Sequence, residues 1–418
     1  MRNRLFSNFT LLFGLVFFFH VAPAQQKKVV FVILDGIPAR DLERVYTPNL
    51  DQIALQGGYA RAYTGGEAGG VSESPTISAV GYNTLLTGTW AHKHRVWGNG
   101  IESPNYQYWT LFRYLREARS DAKLAVFSTW QDNRTKLLGE NLPQTNFLRL
   151  NQSLDGLELD TLRYPHDPEH HYISHIDQKV AEEAATYLAS QGPDLTWVYL
   201  QYTDDMGHRH GRSPQLDAAI QKADAQVGLI WQAIQQRQQM GEDWQLWVTT
   251  DHGRKEPDGK DHGGQSDAER EIWISTNAKD LNERFDSGQA AMVDIFPSMI
   301  RFFNLVVPEH RERELDGVPL TGPLSLSNLT LEGKGKKQLL TWTPGVQSEL
   351  LSVYWSPTDH FGEGGQDEYF FLGEVISDAK QYPLPPEFGK KSFFKVLVVG
   401  KYHSANTWKV SGKHQQKK

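Results

Sequence analysis

The chain has 418 residues, 39% hydrophobic and 22% charged, with a formal net charge of −7 and no cysteine. This balance excludes a largely disordered chain and leaves room for one large and one small domain. The negative charge gives no general attraction to nucleic acid, although bound cations can invert the field locally for a small anionic substrate.

Without cysteine there is no disulfide, no thiolate zinc site and no cysteine nucleophile. Any metal falls to His, Asp, Glu or hydroxyl groups. In chain order, Arg2 and Arg4 precede an apolar stretch from Leu11 to Val21, and Ala22-Pro23-Ala24 follows with a small-residue cleavage pattern. Residues 1–24 therefore read as a secretory signal peptide, with export to the periplasm or the medium. The stretch is short of the ~20 residues of a comfortable span, so no membrane span is expected after its removal. Loss of Arg2 and Arg4 takes the formal charge from −7 to −9.

The run Val29-Val30-Phe31-Val32-Ile33-Leu34 ends in Asp35-Gly36, and similar apolar runs lie at 123–127, 195–200 and 244–249. Continuous β-branched and apolar runs bounded by turns predict strands buried on both faces. Helical patterns over 108–118, 177–190 and 215–238 separate them, which predicts an α/β domain over 25–322: a mostly parallel sheet flanked by helices. A last helical segment covers 294–304. Beyond it, short alternating runs at 338–342, 350–355, 368–375 and 393–399 predict a small antiparallel β-sandwich over 323–411. A basic polar tail, 412–418, ends the chain.

Ligands of α/β sheets bind beyond the C-terminal strand ends. There the sequence places Asp35, then Asp204 and His208 after the third run, Asp251-His252 after the fourth, and His262 just beyond. Read from the pattern, these lie on three loops at one rim. Six imidazole and carboxylate groups suit zinc and suffice for two ions. Four hydroxyls, Ser72, Ser74, Thr76 and Ser78, precede a predicted helix stopped by Gly88. Ser78 falls at its start, where backbone N–H groups and the helix dipole favour an anion.

Together the segments Val32-Ile33-Leu34-Asp35-Gly36, Thr47-Pro48-Asn49-Leu50-Asp51, Leu85-Leu86-Thr87-Gly88, Asp204-x-x-Gly207-His208, Asp251-His252-Gly253 and His262 resemble the type I phosphodiesterase/nucleotide pyrophosphatase branch of the alkaline phosphatase superfamily. Asp294-Ile295-Phe296-Pro297 and Leu315-Asp316-Gly317-Val318-Pro319 are similar to later segments of that superfamily. The resemblance implies an exported hydrolase of phosphate diesters or phosphoanhydrides using two divalent ions, Zn²⁺ the best match. One ion falls to Asp204, His208 and His262, and the other to Asp35, Asp251, His252 and a hydroxyl. In the family the nucleophile lies nine residues before the Thr of Thr-Gly, which here is Ser78, with Thr76 second. It would attack phosphorus and form a phosphoseryl intermediate.

The resemblance has one departure: Gly81 stands where many members carry an asparagine that touches the phosphoryl oxygen. Asn83, Asn99 or the Gly81 backbone would bind the substrate instead. A phosphomonoesterase is the nearest alternative reading, and a non-catalytic surface binding protein a more distant one. His166, His170, His171 and His175 fall in a turn-rich stretch read as a solvent- or substrate-facing loop. His92 and His94 read as groups that support the site or lie at its rim, rather than as ligands. The C-terminal sandwich resembles a fibronectin type III-like module, and because every proposed ligand precedes residue 263 it is expected to be dispensable for bond cleavage.

Overall fold

The computed structural model describes residues 25–410; the expected signal segment 1–24 and the basic tail 412–418 lie outside the described residues. Seven strands form the central sheet: β1 Lys27–Leu34, β2 Gly58–Tyr63, β3 Leu124–Ser128, β4 Gln152–Leu154, β5 Leu195–Leu200, β6 Asp243–Thr249 and β7 Glu271–Thr276. Their order is β2-β7-β6-β1-β5-β3-β4. The pairs from β6 through β1, β5 and β3 to β4 are all parallel, and β7 runs antiparallel to both its neighbours.

Two cores explain why β1 is apolar at every position from Val29 to Leu34. Side chains alternate between faces with period two. Val29, Phe31 and Ile33 enter one core, and Val30, Val32 and Leu34 enter the other. The first core takes α2 Ser78–Thr87, α3 Leu111–Ala118 and α7 Ile295–Phe303. The second takes α1 Pro48–Gln56, α4 His171–Gln191 and α6 Pro214–Gln239. The long helix α4 starts before the predicted Asp177, because Asp167 accepts the backbone N–H groups of His171 and Tyr172 and nucleates an earlier turn. A further helix, α5 Tyr202–His210, stands where the sequence reads as a loop.

The C-terminal part holds β8 Leu326–Lys334, β9 Lys337–Pro344, β10 Leu350–Ser356, β11 Phe370–Ile376, β12 Gln381–Pro383, β13 Phe393–Val399 and β14 Ser404–Val410. They form a four-stranded sheet, β11-β10-β13-β14, and a three-stranded sheet, β12-β9-β8, with every pairing antiparallel. Leu340 and Trp342 of one sheet share a core with Val353, Val396 and Val398 of the other, so the sheets face each other. No helix among the described residues is long and apolar enough to cross a membrane.

Candidate metal centre and nucleophile

Strands β6, β1 and β5 are parallel neighbours, so the segments leaving their C-terminal ends emerge side by side. Asp35 follows β1, α5 with Asp204 and His208 follows β5, and Asp251-His252 follows β6. The i,i+4 spacing places Asp204 and His208 on one face of α5. That corrects the loop assignment: one helix turn, rather than a flexible connection, sets their separation. Among the described residues, Asp35, Asp251 and His252 converge as one group able to hold a metal, and Asp204, His208 and His262 as another.

The first group is buried. The carbonyl of Gly253 accepts the N–H of His252 Nδ1 at 2.9 Å, which turns the Nε2 lone pair into the site. From Nε2 it is 3.4 Å to Asp35 Oδ1, 3.3 Å to Asp251 Oδ2 and 3.4 Å to Ser78 Oγ. A tetrahedral zinc with ligands at about 2.0–2.1 Å has ligand–ligand edges of about 3.3–3.4 Å, so the spacing fits that ion. Asp35 Oδ1 and Asp251 Oδ2 are buried with no hydrogen-bond partner. Their companion oxygens are satisfied: Tyr82 and Tyr199 donate to Asp35 Oδ2, Tyr199 at 2.6 Å, and Gly36 N–H donates to Asp251 Oδ1 at 3.0 Å. Each carboxylate thus has one oxygen fixed by the protein and one left over. A buried acceptor without a partner is costly, and a cation satisfies both at once.

In the second group the Thr76 carbonyl accepts His262 Nδ1–H at 2.8 Å, again directing Nε2 inward. His208 Nε2 lies 3.1 Å from His262 Nε2 and 3.3 Å from Asp204 Oδ2. The imidazole rings of His252 and His262 stack with centroids 3.6 Å apart, so the two groups adjoin. Burial pushes the Asp35 carboxyl well above its usual range, with the charges of Asp251 and Asp204 adding to the effect. Burial likewise raises Asp251 to about 6 and lowers His252 and His262 to about 4. Those two histidines are then neutral at pH 7, the form that ligates metal, whereas the hydrogen bond to Asp204 raises His208 above its ordinary value. Burial alone would raise Asp204 too, but the Arg254 guanidinium and His208 more than offset it and hold it below the usual range.

Arg254 was not anticipated from sequence. Its buried guanidinium donates to Gly36 O at 2.8 Å, to Asp204 O at 2.9 Å and to the Asp204 carboxylate. It ties the segment after β1 to α5, and so one ligand group to the other.

Ser78 is the first residue of α2, whose N-cap is Ile77 with no side-chain capping bond. Its hydroxyl is therefore not consumed by capping. Thr76 is engaged otherwise: its hydroxyl donates to Gly264 O at 2.9 Å and accepts Gly263 N–H at 3.0 Å. Asn99 reaches the helix start, where its Oδ1 accepts Ala79 N–H at 3.0 Å. Asn83 is buried five residues into α2, about 140° round the helix from Ser78 at 3.6 residues per turn. Gly81 packs on Asp251: a Cβ there would stand 2.9 Å from both Cβ and O of that residue. No larger side chain fits without moving Asp251.

A family model described as type I phosphodiesterase / nucleotide pyrophosphatase matches residues 29–321. The chain belongs to that family. Similar to this phosphodiesterase-family chain is human ectonucleotide pyrophosphatase/phosphodiesterase family member 7, 23% identical over 244 residues, 56% of this chain and 50% of that protein. The chain thus spans about half the length of the curated relative it matches. Among solved structures, Ps i-CgsB in complex with k-i-k-neocarrahexaose shares the fold at a TM-score of 0.51 and 14% identity, covering 78% of this chain and 84% of that one. Human ectonucleotide pyrophosphatase/phosphodiesterase 5 aligns at a TM-score of 0.46 and 13% identity, over 68% of this chain and 96% of that one.

In this family member the remaining histidines stand apart from both ligand groups. His170 Nδ1 pairs with Asp205 at 2.7 Å, His166 stacks on Tyr172 at 4.2 Å, and His171 and His175 lie on α4 rather than in a loop. His94 is buried beneath α2, bonded to Thr84 at 3.2 Å, so of the two expected places it takes the supporting one. A cleft of about 1400 Å³ opens between loops that include Glu73, Trp97 and Glu102 and sandwich residues that include His360 and Lys409, and neither Ser78 nor any residue of the two groups lines it.

Proposed function

We propose that this protein hydrolyses phosphate diesters or phosphoanhydrides with two divalent cations, Zn²⁺ foremost, and Ser78 as nucleophile. The observation that carries this reading is the position of Ser78 Oγ: at a helix N-terminus, and 3.4 Å from Nε2 of His252, a member of the Asp35/Asp251/His252 group. Bound cations would lower the hydroxyl pKa and stabilise the attacking and leaving oxygens. The chain's own residues do the rest. Ser78 Oγ forms the bond to phosphorus as the bond to the leaving oxygen breaks, giving a phosphoseryl ester that water then hydrolyses. The α2 N-terminus offsets charge on the phosphoryl oxygens. Asn99, with Oδ1 held by Ala79 N–H, has its amide N–H₂ as donor to the same oxygens. The carbonyls of Gly253 and Thr76 keep both imidazoles in the ligating tautomer.

The same reading takes residues 1–24 as a signal peptide, making the protein exported, with a catalytic unit over 25–322 and a fibronectin type III-like unit over 323–411. Matched aryl phosphate mono- and diesters and a nucleoside triphosphate, assayed with zinc, test the activity. The diester or the triphosphate should be cleaved fastest. A monoester preference of tenfold or more would make the protein a monoesterase, and no turnover by the zinc-loaded protein would make it a binding protein.

Two further outcomes are expected. Elemental mass spectrometry should find about two zinc ions per mature chain, as in two-metal clamps. Chelation should lower the melting temperature, because a site at 1,000 times its Kd in free metal stabilises by about 4 kcal/mol. Less than one ion per chain after zinc reconstitution, or an unchanged melting temperature, would defeat the metal assignment. Replacing Tyr82 or Tyr199 by Phe removes a donor from the fixed oxygen of Asp35. Zinc affinity, measured by competition with a chromophoric chelator, should fall about 10–100-fold, the usual effect of such supporting bonds. Equal affinity would show that Asp35 is oriented by something else.

A further inference from the structure

The chain that follows α2 turns back under it. Ala91 N–H donates to Ser74 Oγ at 3.0 Å, anchoring the run that leads into Ser78. Val96 N–H donates to His94 Nδ1 at 3.1 Å, so His94 donates through Nε2 to Thr84 Oγ1, whose own hydroxyl donates to Val80 O at 2.9 Å. Asp316 accepts Trp90 N–H at 2.9 Å, and its backbone N–H donates to Gly88 O, the stop of α2, at 2.9 Å. Segment 90–94 and Asp316 thus hold α2 at its approach, its middle and its end.

The sandwich holds that segment in turn. Lys93, fully buried, donates to Glu314 O at 2.8 Å, to the Asp316 carboxylate and to Asn406 Oδ1 of β14 at 2.9 Å. Asn406 also donates to Leu315 O at 2.6 Å. Lys395 of β13, equally buried, bonds Glu314 at 2.9 and 3.1 Å and Asp367 at 2.8 Å. The Trp408 ring lies 5.0 Å from the Lys93 ammonium and 4.4 Å from that of Lys395. Buried charges stay charged only when paired and hydrogen-bonded; here Lys395 pairs with Glu314 across the junction, and Lys93 crosses it through its bond to Asn406.

We propose that the sandwich is a positioning element of the reaction: through Asn406 and Lys93 it fixes α2, and so places Ser78 against the metal ligands. This rests on the reading of Ser78 as nucleophile, and it opposes the expectation of a dispensable sandwich, which considers ligands alone. A displacement of the attacking group by about 1 Å can cost 10²-fold in rate.

The test uses the full chain with Asn406→Leu, Asn406→Asp and, as a control in the other sheet, Thr341→Ala. Amide hydrogen exchange of residues 78–88 and kinetics on an aryl phosphate diester are measured together. Asn406→Leu should speed exchange across 78–88 about tenfold and lower kcat about tenfold or more, with KM and zinc content within twofold. Asn406→Asp keeps an acceptor for Lys93 but loses the donor to Leu315 O, so it should recover only part of kcat and of the protection at 78–88; Thr341→Ala should change neither quantity. Unchanged exchange at 78–88 in Asn406→Leu overturns the proposal. If that variant does not fold, Thr84→Val, which cuts the His94 link, is read by the same two measures, and wild-type exchange there overturns it. If exchange responds but the wild-type protein cleaves no phosphate ester, the coupling stands and the assigned chemistry falls.

Discussion

Ser78→Ala is expected to lose two or more orders of magnitude in kcat on an aryl phosphate diester while keeping its metals. Losses of that size are usual when a covalent nucleophile is removed. The structure removes the simplest competing role, since Ile77 and not Ser78 is the N-cap of α2 and no side-chain cap bond exists there. A lost cap would in any case cost only ~1 kcal/mol of stability and spare turnover. The six candidate carboxylate and imidazole ligands are carried by the ends of β1 and β6, by α5 and by the loop holding His262, so none depends on the Ser78 side chain for its backbone position. Thr76→Ala should behave differently. Its hydroxyl pins Gly263 and Gly264, and its carbonyl orients His262, so the variant should weaken zinc binding at the second group. Excess zinc should recover much of its activity and none of that lost in Ser78→Ala. Near wild-type turnover in Ser78→Ala beside a dead Thr76→Ala would move the nucleophile to Thr76.

The parts legible in the sequence were those with one strong physical signature. Strands β1, β3, β5 and β6 are buried on both faces, so their composition alone marks them. By contrast β2 carries the exposed Arg61 and starts on Gly58, β4 has three residues, and β7 opens on Glu271, which pairs with Arg40 and Arg61. None of these forms a long apolar run, and all three were missed. The sandwich was visible at β9, β10, β11 and β13, whereas the polar β14, with Ser404, Asn406, Thr407 and Lys409, was not. At the site, the ligands stood out because Asp and His are conspicuous after apolar strands. Their supports did not: no pattern sets Tyr82 and Tyr199 apart from other aromatics or Arg254 and Lys93 apart from other charges, because sequence does not show which charges are buried against a partner 50 or 313 residues away. Helix α5 was hidden by composition, since two Asp, a Thr and a Gly in nine residues have low helix propensity.

That glycine is expected to be indispensable, although propensity argues the reverse. An Ala in place of Gly in a helix interior normally stabilises by about 1 kcal/mol. Here a Cβ on Gly207 would lie 2.0 Å from Arg254 Cζ, 2.2 Å from Nε and 2.3 Å from Nη2. The guanidinium has little room to yield: Gly36, at φ +67°, closes on its other side, where a Cβ would be 2.6 Å from Nη2. Its bonds to Gly36 O and Asp204 O would break as it moved. Overpacking costs about 1–3 kcal/mol, and each charged hydrogen bond lost about 1.5–3 kcal/mol, so the helix gain is outweighed. The alternative relaxation, displacement of α5, carries Asp204 and His208 away from His262. Either route spoils the second ligand group and leaves Asp35, Asp251 and His252 in place. Gly207→Ala should therefore melt lower by several degrees, bind about one zinc ion per chain instead of two, and lose at least 10²-fold in kcat, the scale of a clamp reduced to one ion. The double variant Gly207→Ala/Arg254→Ala restores the space but not the tie, so it should recover melting temperature without recovering the second ion. Calorimetry and metal analysis of the two variants decide the matter: Gly207→Ala with wild-type stability and two bound ions would show that Arg254 has another place to go.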